Sequence, residues 1–483
     1  PDGFLWITEA GGTVSRVDPT TGFKTVVYVA PDDFEDSPLE QLQLCFMPNI
    51  GSGTLGLTLD PDFLNPANAF IYFLYSYNSG TVSAPATKFK IERLTWDWNT
   101  QSVVANRDLV TDISSGYDHL GGRLLAIMRD EGKPYLFLSV GEHGVSETNS
   151  PDCYVPQSTN PNNQAQNPDT DNGKIHRFNL DGSIPFDNPI PGNSFYTRGH
   201  RNPQGLMYVP QLDLLFDAEH GDRTDDEINL LHAGMNYGWK WVRGYHDDNN
   251  YPGEAEFIAN YQPDARIAGD HLVEAFYSFC NEPQPVSDDY LSWCTIAPSD
   301  GIYYNSGGIP EWKNSLLVVS LKNGSTTDNE VHVLKLTPGG ELMPSTPGNP
   351  NPEDFFGADQ EVNGRLRDIA ISPDGRKIFL INNGGDGISD KISVYTVQST
   401  TATSDITEVD VIQFYPNPAN DLITVQSKEG IVSLKIYNLS GELIQSNKGN
   451  VTLLHVAGLA DGTYFAKINT MSGLYFTKQF VKQ

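Results

Sequence analysis

The stretch GHRNPQGLMY, Gly199 to Tyr208, gathers groups that bind flat, polar ligands. A guanidinium, Arg201, stands beside an imidazole and close to two amides, and the apolar residues that follow predict a strand entering a core. A guanidinium fork matches the carbonyls and carboxylates of a planar ligand better than other side chains do. The stretch therefore predicts a ligand site at a strand end. The alternative is that Arg201 only ties two parts of the fold together.

A second group of positive charges lies in NGRLRD, where Arg365 and Arg367 are two residues apart. In an extended segment, side chains at this spacing point to the same face. Two arginines on one face predict an anionic ligand. Lys322, at the end of a strand-like run in SLKNG, adds a third positive charge in this interpretation, although a lone lysine there is also typical of a solvated strand end.

His119, in GYDHLGGRL, is a candidate general base. It precedes a glycine pair and an apolar run, so its ring is expected at the entrance of a strand. Imidazole titrates near the pH at which enzymes work, and a neighbouring carboxylate orients it and stabilises its charged form. Glu142, in SVGEHG, is the candidate for that carboxylate. The alternative is a histidine that only makes loop hydrogen bonds.

The segment AEHGDRTDDEINLLHAGMNYGW, residues 218–239, concentrates carboxylates and loop carbonyls. Calcium takes six to eight oxygen ligands and uses the backbone carbonyls of irregular loops readily. The segment is typical either of a calcium site or of a solvated acidic turn, and it lacks the spacing of an EF-hand. Tyr290 and Trp293, in DDYLSWCTIAPS, are candidates for stacking on a sugar or another ring, with a core position as the alternative.

The elements that must position these residues are expected to be strands. The 483 residues include 44 Gly, 32 Pro, 22 Tyr and 23 Phe, which are turn and strand residues, and long helical blocks are missing. A turn followed by a short apolar run occurs six times, which favours radial or stacked repetition. Long insertions rich in Pro, Asn and Asp separate the repeats, at residues 32–53, 146–172, 247–299 and 323–364.

A second domain is predicted near the C-terminus. Residues 397–411 have the Ser/Thr-rich composition of a linker, and residues 412–483 read as short alternating strands, enough for a small β-sandwich. The chain starts on a turn, Pro1-Asp2-Gly3, followed at once by a strand-like run, so we expect the first strand of the first repeat to be missing.

Charge and cysteine content limit the partners and the compartment. The formal net charge of −30 excludes phosphate backbones and anionic membranes as favoured partners, and no stretch approaches the ~20 apolar residues of a membrane span. The four cysteines lack the clustering of a zinc site and are interpreted as disulfides. Cys280 with Cys294 is the preferred pair, leaving Cys45 with Cys153, and an oxidising compartment follows.

Taken together and in this order, several segments resemble the soluble pyrroloquinoline quinone (PQQ)-dependent sugar dehydrogenases, the glucose/sorbosone dehydrogenase family. The resemblance implies an all-β chain with a six-bladed β-propeller over residues 1–396. The matching segments are WITEAGGTVSRVDPTTG, DHLGGRL, GKIHRFNLDGSIPFDNP, GHRNPQGL, DDEINLL, NYGW, WCTIAPS, SLKNG and RLRDIAISPDG.

The resemblance also implies roles for single residues. His119 matches the base that takes the hydroxyl proton of a sugar, with Asp118 at the substrate and Glu142 as the carboxylate that supports the base, where well-known members have Asp. Arg201 and Asn202 match contacts to the quinone carbonyls. The other implied cofactor contacts are Thr295, Lys322, Arg365 and Arg367, and the implied walls of the sugar pocket are Tyr290 and Trp293.

Calcium is implied in the same way. Gly221 and Asp222 match two residues whose backbone carbonyls hold the calcium that joins protein and PQQ. The positions that match the surroundings of further, structural calcium ions are Glu227, Tyr237, Arg243, Tyr245 and Asp247.

The implied activity is the oxidation of an aldose at its anomeric carbon to a lactone by hydride transfer to calcium-bound PQQ. Gly51 stands where glucose-oxidising members have Gln, which puts the identity of the sugar in doubt. The alternatives are a calcium-dependent propeller lactonase or hydrolase and a non-catalytic extracellular recognition propeller. The electron acceptor stays unidentified, and a homodimer stays open.

The C-terminal domain resembles the sorting domains of the type IX secretion route through FYPNPANDLITV, VSLKIYNLSGELI and LADGTYFAKI. This resemblance implies contact with the secretion machinery, export across an outer membrane and a secreted or cell-surface location. A small carbohydrate-binding sandwich is the alternative.

Overall fold

A computed structural model describes most of the chain. The described residues are 2–31, 53–79, 87–115, 119–129, 132–143, 163–247, 253–281, 283, 292–322, 327–347, 349–384, 389–397, 412–427, 430–438, 443–449, 451–470 and 475–483. Five of the residues for which a role or a disulfide is predicted above lie outside them, so the predictions about these residues stay predictions. They are Cys45, Gly51, Asp118, Cys153 and Tyr290.

The chain divides into two compact units, Pro1–Val397 and Gln398–Gln483. The proposed linker 397–411 falls almost wholly outside the described residues. Strands dominate both units, which confirms the prediction of an all-β chain. The described residues include two short α-helices, α1 (Glu254–Asn260) and α2 (Gln360–Asn363).

The described part of unit 1 forms six antiparallel sheets in chain order. The first three contain β1 (Leu5–Glu9), β2 (Thr13–Val17) and β3 (Lys24–Val29); β4 (Thr54–Leu59), β5 (Phe70–Asn78), β6 (Thr87–Asp97) and β7 (Ser102–Ser114); and β8 (Gly121–Met128), β9 (Pro134–Val140), β10 (Lys174–Asn179) and β11 (Phe195–Arg198).

The last three contain β12 (Pro203–Val209), β13 (Leu214–Glu219), β14 (Asp226–Leu231) and β15 (Tyr277–Phe279); β16 (Pro298–Tyr304), β17 (Ser315–Ser320), β18 (Val331–Lys335) and β19 (Glu353–Phe355); and β20 (Leu366–Ile371), β21 (Lys377–Asn382) and β22 (Ile392–Thr396). Strands that follow each other in sequence pair as simple meanders, as short turns between alternating runs require.

The second strands of the sheets are buried on both faces. β17, with the sequence SLLVVS, is buried throughout, and β9, PYLFLSV, is buried beyond its first residue. Continuous apolar runs of this length are typical of strands covered on both sides. The sheets of unit 1 therefore pack face to face, and their core lies between neighbouring sheets.

The first strands of successive sheets contact each other, from β1 to β4, β8, β12, β16 and β20. Arg123, the third residue of β8, shows that four of them converge. Its guanidinium donates to the carbonyls of Gln204 in β12 (3.0 Å), Ser299 in β16 (3.3 Å) and Arg367 in β20 (3.2 Å). One side chain reaches all three only if the starts of these strands meet at a common centre.

Unit 2 has two antiparallel sheets. The strands are β23 (Gln413–Tyr415), β24 (Leu422–Gln426), β25 (Ile431–Tyr437), β26 (Leu443–Lys448), β27 (Leu453–His455), β28 (Gly462–Thr470) and β29 (Tyr475–Lys482). Strands β23, β24 and β27 form one sheet, and β26, β25, β28 and β29 form the other. Ile423 and Leu454 from the first sheet share one core with Leu434 and Ile468 from the second.

The Cys280–Cys294 disulfide is present, with the Cα atoms 5.6 Å apart, and confirms the preferred pairing. It joins the end of β15 to the segment that leads into β16. It therefore holds Trp293 and Thr295, two of the predicted site residues, close to the start of β16.

Candidate active site

The predicted site residues lie at matching ends of the strands. His119, Arg201 and Arg365 directly precede the first strands β8, β12 and β20, while Glu142 and Lys322 follow the second strands β9 and β17. In an antiparallel pair, the start of one strand is next to the end of its partner. Because Arg123 brings the starts of the first strands together, all five positions belong to one end of unit 1.

His119 and Glu142 form a close pair. The Nδ1 atom of His119 is 2.7 Å from Oε1 of Glu142, whose side chain is fully buried. Gly141 makes this approach possible, because a Cβ atom there would lie 1.7 Å from the carbonyl oxygen of His119. The prediction that these two residues meet is therefore supported by both the side chains and the backbone.

The other oxygen of Glu142 has two donors. Asn163 Nδ2 and Trp239 Nε1 each lie 2.5 Å from Oε2. With both donors on Oε2, Oε1 is the oxygen that accepts from His119. The proton of a neutral His119 therefore sits on Nδ1, and Nε2 carries the lone pair that a general base needs. Sequence analysis did not single out Asn163 or Trp239 as site residues.

A buried lysine holds the segment that carries Asn163. Lys174 is fully buried, and its ammonium group donates to the carbonyls of Gln164 and Ala165, both at 3.0 Å, and of Asn172 at 2.5 Å. Three carbonyls replace most of the hydration that the ammonium loses on burial. Lys174 thereby fixes the loop in front of β10, and with it one of the donors to Glu142.

Arg201 is joined directly to the histidine–glutamate pair. The backbone N–H of Glu142 donates to the carbonyl of Arg201 at 2.8 Å. Asn202 adds a second link, since its Oδ1 accepts from the backbone N–H of Gly121 at 3.1 Å. These two hydrogen bonds therefore join the ends of two neighbouring sheets at the place where His119, Arg201 and Asn202 meet.

The guanidinium of Arg201 has several buried neighbours. It donates to the carbonyl of His220 at 3.3 Å and lies 3.7 Å from the carboxylate of Asp222. The ring of Trp239 lies near two guanidinium groups, with its centroid 5.5 Å from Arg201 and 5.1 Å from Arg243. Trp239 therefore contacts both the carboxylate of Glu142, which orients His119, and the guanidinium groups of Arg201 and Arg243.

Asp222 is held as a carboxylate. Burial alone would raise its pKa, but Arg243, whose Nη2 lies 2.9 Å from Oδ2, and Arg201 keep the pKa below its ordinary value. Since the side chain of Asp222 is engaged with these guanidinium groups, its backbone carbonyl is the atom left for the predicted calcium. Gly221 makes a tight turn there, because a Cβ atom would lie 2.0 Å from the carbonyl oxygen of Thr224.

His220 indicates that Arg365 and Arg367, which are distant from it in sequence, lie in the same region as Arg201. Burial lowers its pKa well below the ordinary value, and the positive charges of four nearby groups lower it further. In order of effect, these groups are Arg201, His119, Arg367 and Arg365. Nearby charges shift a pKa mainly at short range, which is consistent with a position of the predicted cofactor arginines near this imidazole.

Arg367 is half-buried at the common centre. Its Nη1 lies 3.4 Å from Oε1 of Gln204, and its carbonyl accepts from Arg123. Partial burial lowers its pKa to about 9, and the charges of Arg365 and Arg123 add to this effect. A cluster of half-buried cations favours the binding of an anion that relieves their repulsion.

Asp226 joins the calcium loop to the start of β16. Its Oδ1 accepts from the N–H of Gly221 at 2.8 Å, and its Oδ2 accepts from Ile296 at 2.6 Å and Ala297 at 2.8 Å. Thr295, the residue just before these, is placed beside Gly221 as a result. Sequence analysis noted the acidic run but not the bridging role of Asp226.

Lys322 and Trp293 complete this side of the site. The ammonium of Lys322 donates to the carbonyl of Trp293, which also accepts from the N–H of Thr295 at 3.0 Å. The guanidinium of Arg223 lies 5.0 Å from the ring centroid of Trp293. The structure therefore brings Thr295, Lys322 and Trp293 together.

The predicted structural calcium residues divide into two groups. Glu227 accepts from the N–H of Gly244 at 2.6 Å, and the hydroxyl of Tyr245 accepts from the N–H of Ser278 at 3.2 Å. Asp225, which was not predicted, accepts from Ser278 Oγ at 2.8 Å. Burial raises its pKa to about 6, and the charge of Asp247 contributes. Glu227, Tyr245 and Asp247 therefore share one acidic region.

The other two are used differently. The hydroxyl of Tyr237 donates to the carbonyl of Leu230 at 2.6 Å, and its ring stacks on His200 with centroids 4.9 Å apart. The guanidinium of Arg243 points to Asp222. For both residues, only a backbone carbonyl remains as a possible calcium ligand.

Comparison with known proteins gives the family. The sequence profile of the Glucose / Sorbosone dehydrogenase family matches residues 1–390. The chain is 31% identical over 437 residues to quinoprotein glucose dehydrogenase B of Acinetobacter calcoaceticus, covering 79% of this chain and 81% of that protein. It is 27% identical over 290 residues to the aldose sugar dehydrogenase YliI of Escherichia coli, covering 58% of this chain and 61% of that protein.

Solved structures show the same fold. The soluble aldose sugar dehydrogenase of Escherichia coli in the apo form superposes with a TM-score of 0.56 at 25% identity, covering 82% of this chain and 94% of that chain. The PQQ-bound aldose sugar dehydrogenase of Streptomyces coelicolor gives a TM-score of 0.54 at 22% identity, covering 82% and 91% of the two chains.

The profile of the secretion system C-terminal sorting domain matches residues 413–483. The chain is accordingly exported by the type IX route to the cell surface or the extracellular space. In the described residues, no helix combines the length and the apolar character that a membrane span requires. With a dehydrogenase profile over residues 1–390 and a sorting domain behind it, the chain belongs to the Glucose / Sorbosone dehydrogenase family.

Proposed function

We propose that the chain oxidises an aldose at its anomeric carbon to the lactone, using PQQ and Ca²⁺, with His119 as the general base. The observation that carries this proposal is the hydrogen bond from the N–H of Glu142 to the carbonyl of Arg201 at 2.8 Å. It joins a carboxylate-oriented imidazole to the arginine that faces the cofactor. A binding propeller has no need of a base next to its anion site.

The charge of the site fits PQQ, which carries three carboxylates. Arg201, Arg365, Arg367 and Lys322 bring four positive charges to one end of unit 1, in a chain whose net charge is −30. Among the residues that the structure describes, Arg201 Nε and His220 Nε2 are buried without a hydrogen-bond partner. Buried polar atoms of this kind normally find a partner, and the oxygens of a bound quinone supply one.

The acidic regions fit calcium. Backbone carbonyls at Gly221 and Asp222 and the carboxylates of Glu227 and Asp247 are hard oxygen ligands, which Ca²⁺ prefers. The raised pKa of Asp225 reflects burial and the charge of Asp247, and a bound cation relieves both. PQQ held here would supply the hydride acceptor, and Ca²⁺ would supply its polarisation.

The residues of this chain supply the proton chemistry. His119 Nε2 accepts the hydroxyl proton of the anomeric carbon, and Glu142 stabilises the imidazolium that forms. Arg201, whose Nε is buried without a hydrogen-bond partner among the described residues, would hold the quinone and stabilise negative charge that develops on it. Trp293 lies beside Lys322 and is proposed as a wall of the sugar pocket, together with Tyr290 and Asp118.

We also infer that the six sheets close into a six-bladed propeller. The contacts between first strands run from β1 to β20, and Arg123 places four of them around one centre. Closure between the last and the first sheet completes this arrangement.

Reconstitution tests the proposal. The purified full chain is incubated with PQQ and Ca²⁺, and reduction of a dye by a panel of aldoses is followed together with lactone formation. We expect activity with at least one aldose, and His119→Gln is expected to lower kcat at least about 100-fold while the PQQ affinity stays within about threefold.

The matched control is His232→Gln, which changes an exposed histidine outside the site and is expected to leave kcat unchanged. Absence of dye reduction with every aldose, combined with no spectral change on adding PQQ, would overturn the dehydrogenase proposal. Hydrolysis of lactones without PQQ would support the hydrolase alternative instead.

A further inference from the structure

A buried cluster of acceptor groups adjoins Arg201. It consists of His200, Asp217, Glu219 and Asn229 and is called the inner cluster below; these residues are 0%, 0%, 4% and 0% exposed. Asp217 and Glu219 are two residues apart in β13, and Asn229 lies opposite Asp217 in the register of β14. Side chains at these positions share one face of a sheet.

One imidazole nitrogen serves two carboxylates. His200 Nδ1 lies 2.8 Å from Oε2 of Glu219 and 3.2 Å from Oδ2 of Asp217, while Nε2 is 2.8 Å from the hydroxyl of Thr197. A single N–H makes one well-directed hydrogen bond, and here Glu219 takes it. The ligand atoms of His200, Asp217 and Glu219 all lie within 4.8 Å of one another.

Acceptor oxygens are left over as a result. In the described part of the chain, neither oxygen of Asp217 has a hydrogen-bond partner, and Oδ1 of Asn229 also lacks one. The Nδ2 group of Asn229 donates to Glu227 at 3.2 Å, which leaves Oδ1 as its unused end. Fully buried acceptors without donors are rare and costly, so this arrangement points to a missing electron-pair acceptor.

We propose that the inner cluster binds one divalent transition-metal ion, with Zn²⁺ the best match, through His200 Nδ1, Asp217, Glu219 and the side-chain oxygen of Asn229. A cation takes lone pairs from all four groups at once, which no single N–H does. One imidazole nitrogen with oxygen ligands in a four-coordinate set is typical of zinc, whereas calcium takes six to eight oxygens. This site uses other ligands than the calcium positions of the proposed function, which it adjoins through the hydrogen bond from Asn229 to Glu227, and it does not rest on that proposal.

The ion would stiffen the strand end that carries Arg201. Glu219 uses Oε2 for the inner cluster, and its Oε1 accepts from the backbone N–H of Arg201. The ring of Tyr237 covers His200 on one side, with centroids 4.9 Å apart. Metal binding in the inner cluster therefore fixes the backbone next to the proposed cofactor site.

Metal analysis of the untagged full chain tests the proposal. We expect elemental analysis to find about one zinc ion per chain, retained through gel filtration. After treatment with a strong chelator, Zn²⁺ added back in the presence of Ca²⁺ is expected to raise the midpoint of thermal unfolding, whereas Ca²⁺ alone is not expected to reproduce this increase.

Asp217→Asn keeps the shape of the side chain but removes its charge, so we expect at least a tenfold rise in the Kd for Zn²⁺, about the loss that weakening a metal site produces. The matched control is Asp354→Asn, which changes a carboxylate 2.7 Å from another histidine, His332, on a different sheet. This control is expected to keep the zinc content of the wild type.

Two results would overturn the proposal. One is a wild-type chain that contains no transition metal and gains no thermal stability from Zn²⁺; a buried water or a charged His200 would then satisfy the oxygens. The other is an unchanged zinc affinity in both Asp217→Asn and His200→Gln. If Asp217→Asn does not fold, the visible absorption of the Co²⁺-loaded wild type decides, because a tetrahedral site with an imidazole ligand gives characteristic bands and an adventitious surface ion does not.

Discussion

Glu142→Gln replaces one carboxylate oxygen by an amide and tests how His119 is oriented. In the wild type, Oε1 of Glu142 faces His119 Nδ1 at 2.7 Å, while Oε2 receives hydrogen bonds from Asn163 and Trp239. A glutamine at this position has one oxygen and one NH₂ group. Its orientation therefore decides which nitrogen of His119 carries the proton.

The two donors decide that orientation. If the NH₂ group faced Asn163 and Trp239, two buried donors would lose their acceptor, at about 1–3 kcal/mol each. The amide oxygen therefore takes the place of Oε2, and the NH₂ group donates to His119 Nδ1. This moves the imidazole proton to Nε2, the atom that has to accept the proton of the sugar.

The expected result is a loss of about 10²- to 10⁴-fold in kcat, the size of a general-base contribution. Because Glu142 lies behind the base, the PQQ affinity should stay within about threefold of the wild type. The assay is dye reduction by the reconstituted chain, with PQQ binding followed by absorbance, and the control is Glu256→Gln on the exposed face of α1. A kcat within about threefold of the wild type would refute the reasoning, and a parallel loss of PQQ affinity would show that Glu142 has a structural role instead.

Three further predictions follow from the same contacts. Trp239→Phe keeps an aromatic ring near the two guanidinium groups but removes the hydrogen bond to Glu142. We therefore expect kcat to fall about tenfold with little change in PQQ affinity in the same assay, and an unchanged kcat would mean that the indole N–H is not needed. Arg365→Ala removes one of the proposed carboxylate contacts and should raise the Kd for PQQ at least tenfold, whereas Arg16→Ala, in the first sheet, should not; equal values for both variants would place the anion elsewhere. His332 lies 3.1 Å from Asp328 and 2.7 Å from Asp354; burial alone would lower its pKa, but these carboxylates raise it to about 9. Its charged form therefore stabilises the fold fully below pH 6.5, and this contribution is lost as the pH rises to about 9. We expect His332→Gln to lower the free energy of unfolding by about 2 kcal/mol at pH 6 and by much less at pH 10. Urea unfolding at the two pH values would show this difference. A pH-independent difference would contradict the assigned ion pairs.

The sequence alone identified those candidate site residues that stand at the start of a predicted strand. Arg201 with Asn202, His119 and the Arg365–Arg367 pair each stand directly before an apolar run, and all of them are found at strand starts. The disulfide between Cys280 and Cys294 was also predictable, because the two cysteines bracket one short loop. Local patterns reveal such features because residue type and strand periodicity are local properties.

Contacts between distant segments were not predictable. Trp239 is 97 residues from Glu142, and Asp226 is 70 residues from Ile296, yet each pair is hydrogen-bonded. Tyr237 was placed near calcium by resemblance, but its hydroxyl donates to Leu230 and its ring lies on His200. The residues next to a given position along the chain do not indicate which sheet will pack against the sheet that contains it.

The sequence by itself thus determined an all-β chain with an exported C-terminal domain, a base candidate and a set of cations at strand starts. Only the tertiary structure decided that these strand starts meet. Arg123 makes this visible, since its one side chain binds carbonyls up to 244 residues away. The physical reason is that strand pairing sets the direction of each side chain, whereas the packing of whole sheets against each other sets which side chains become neighbours.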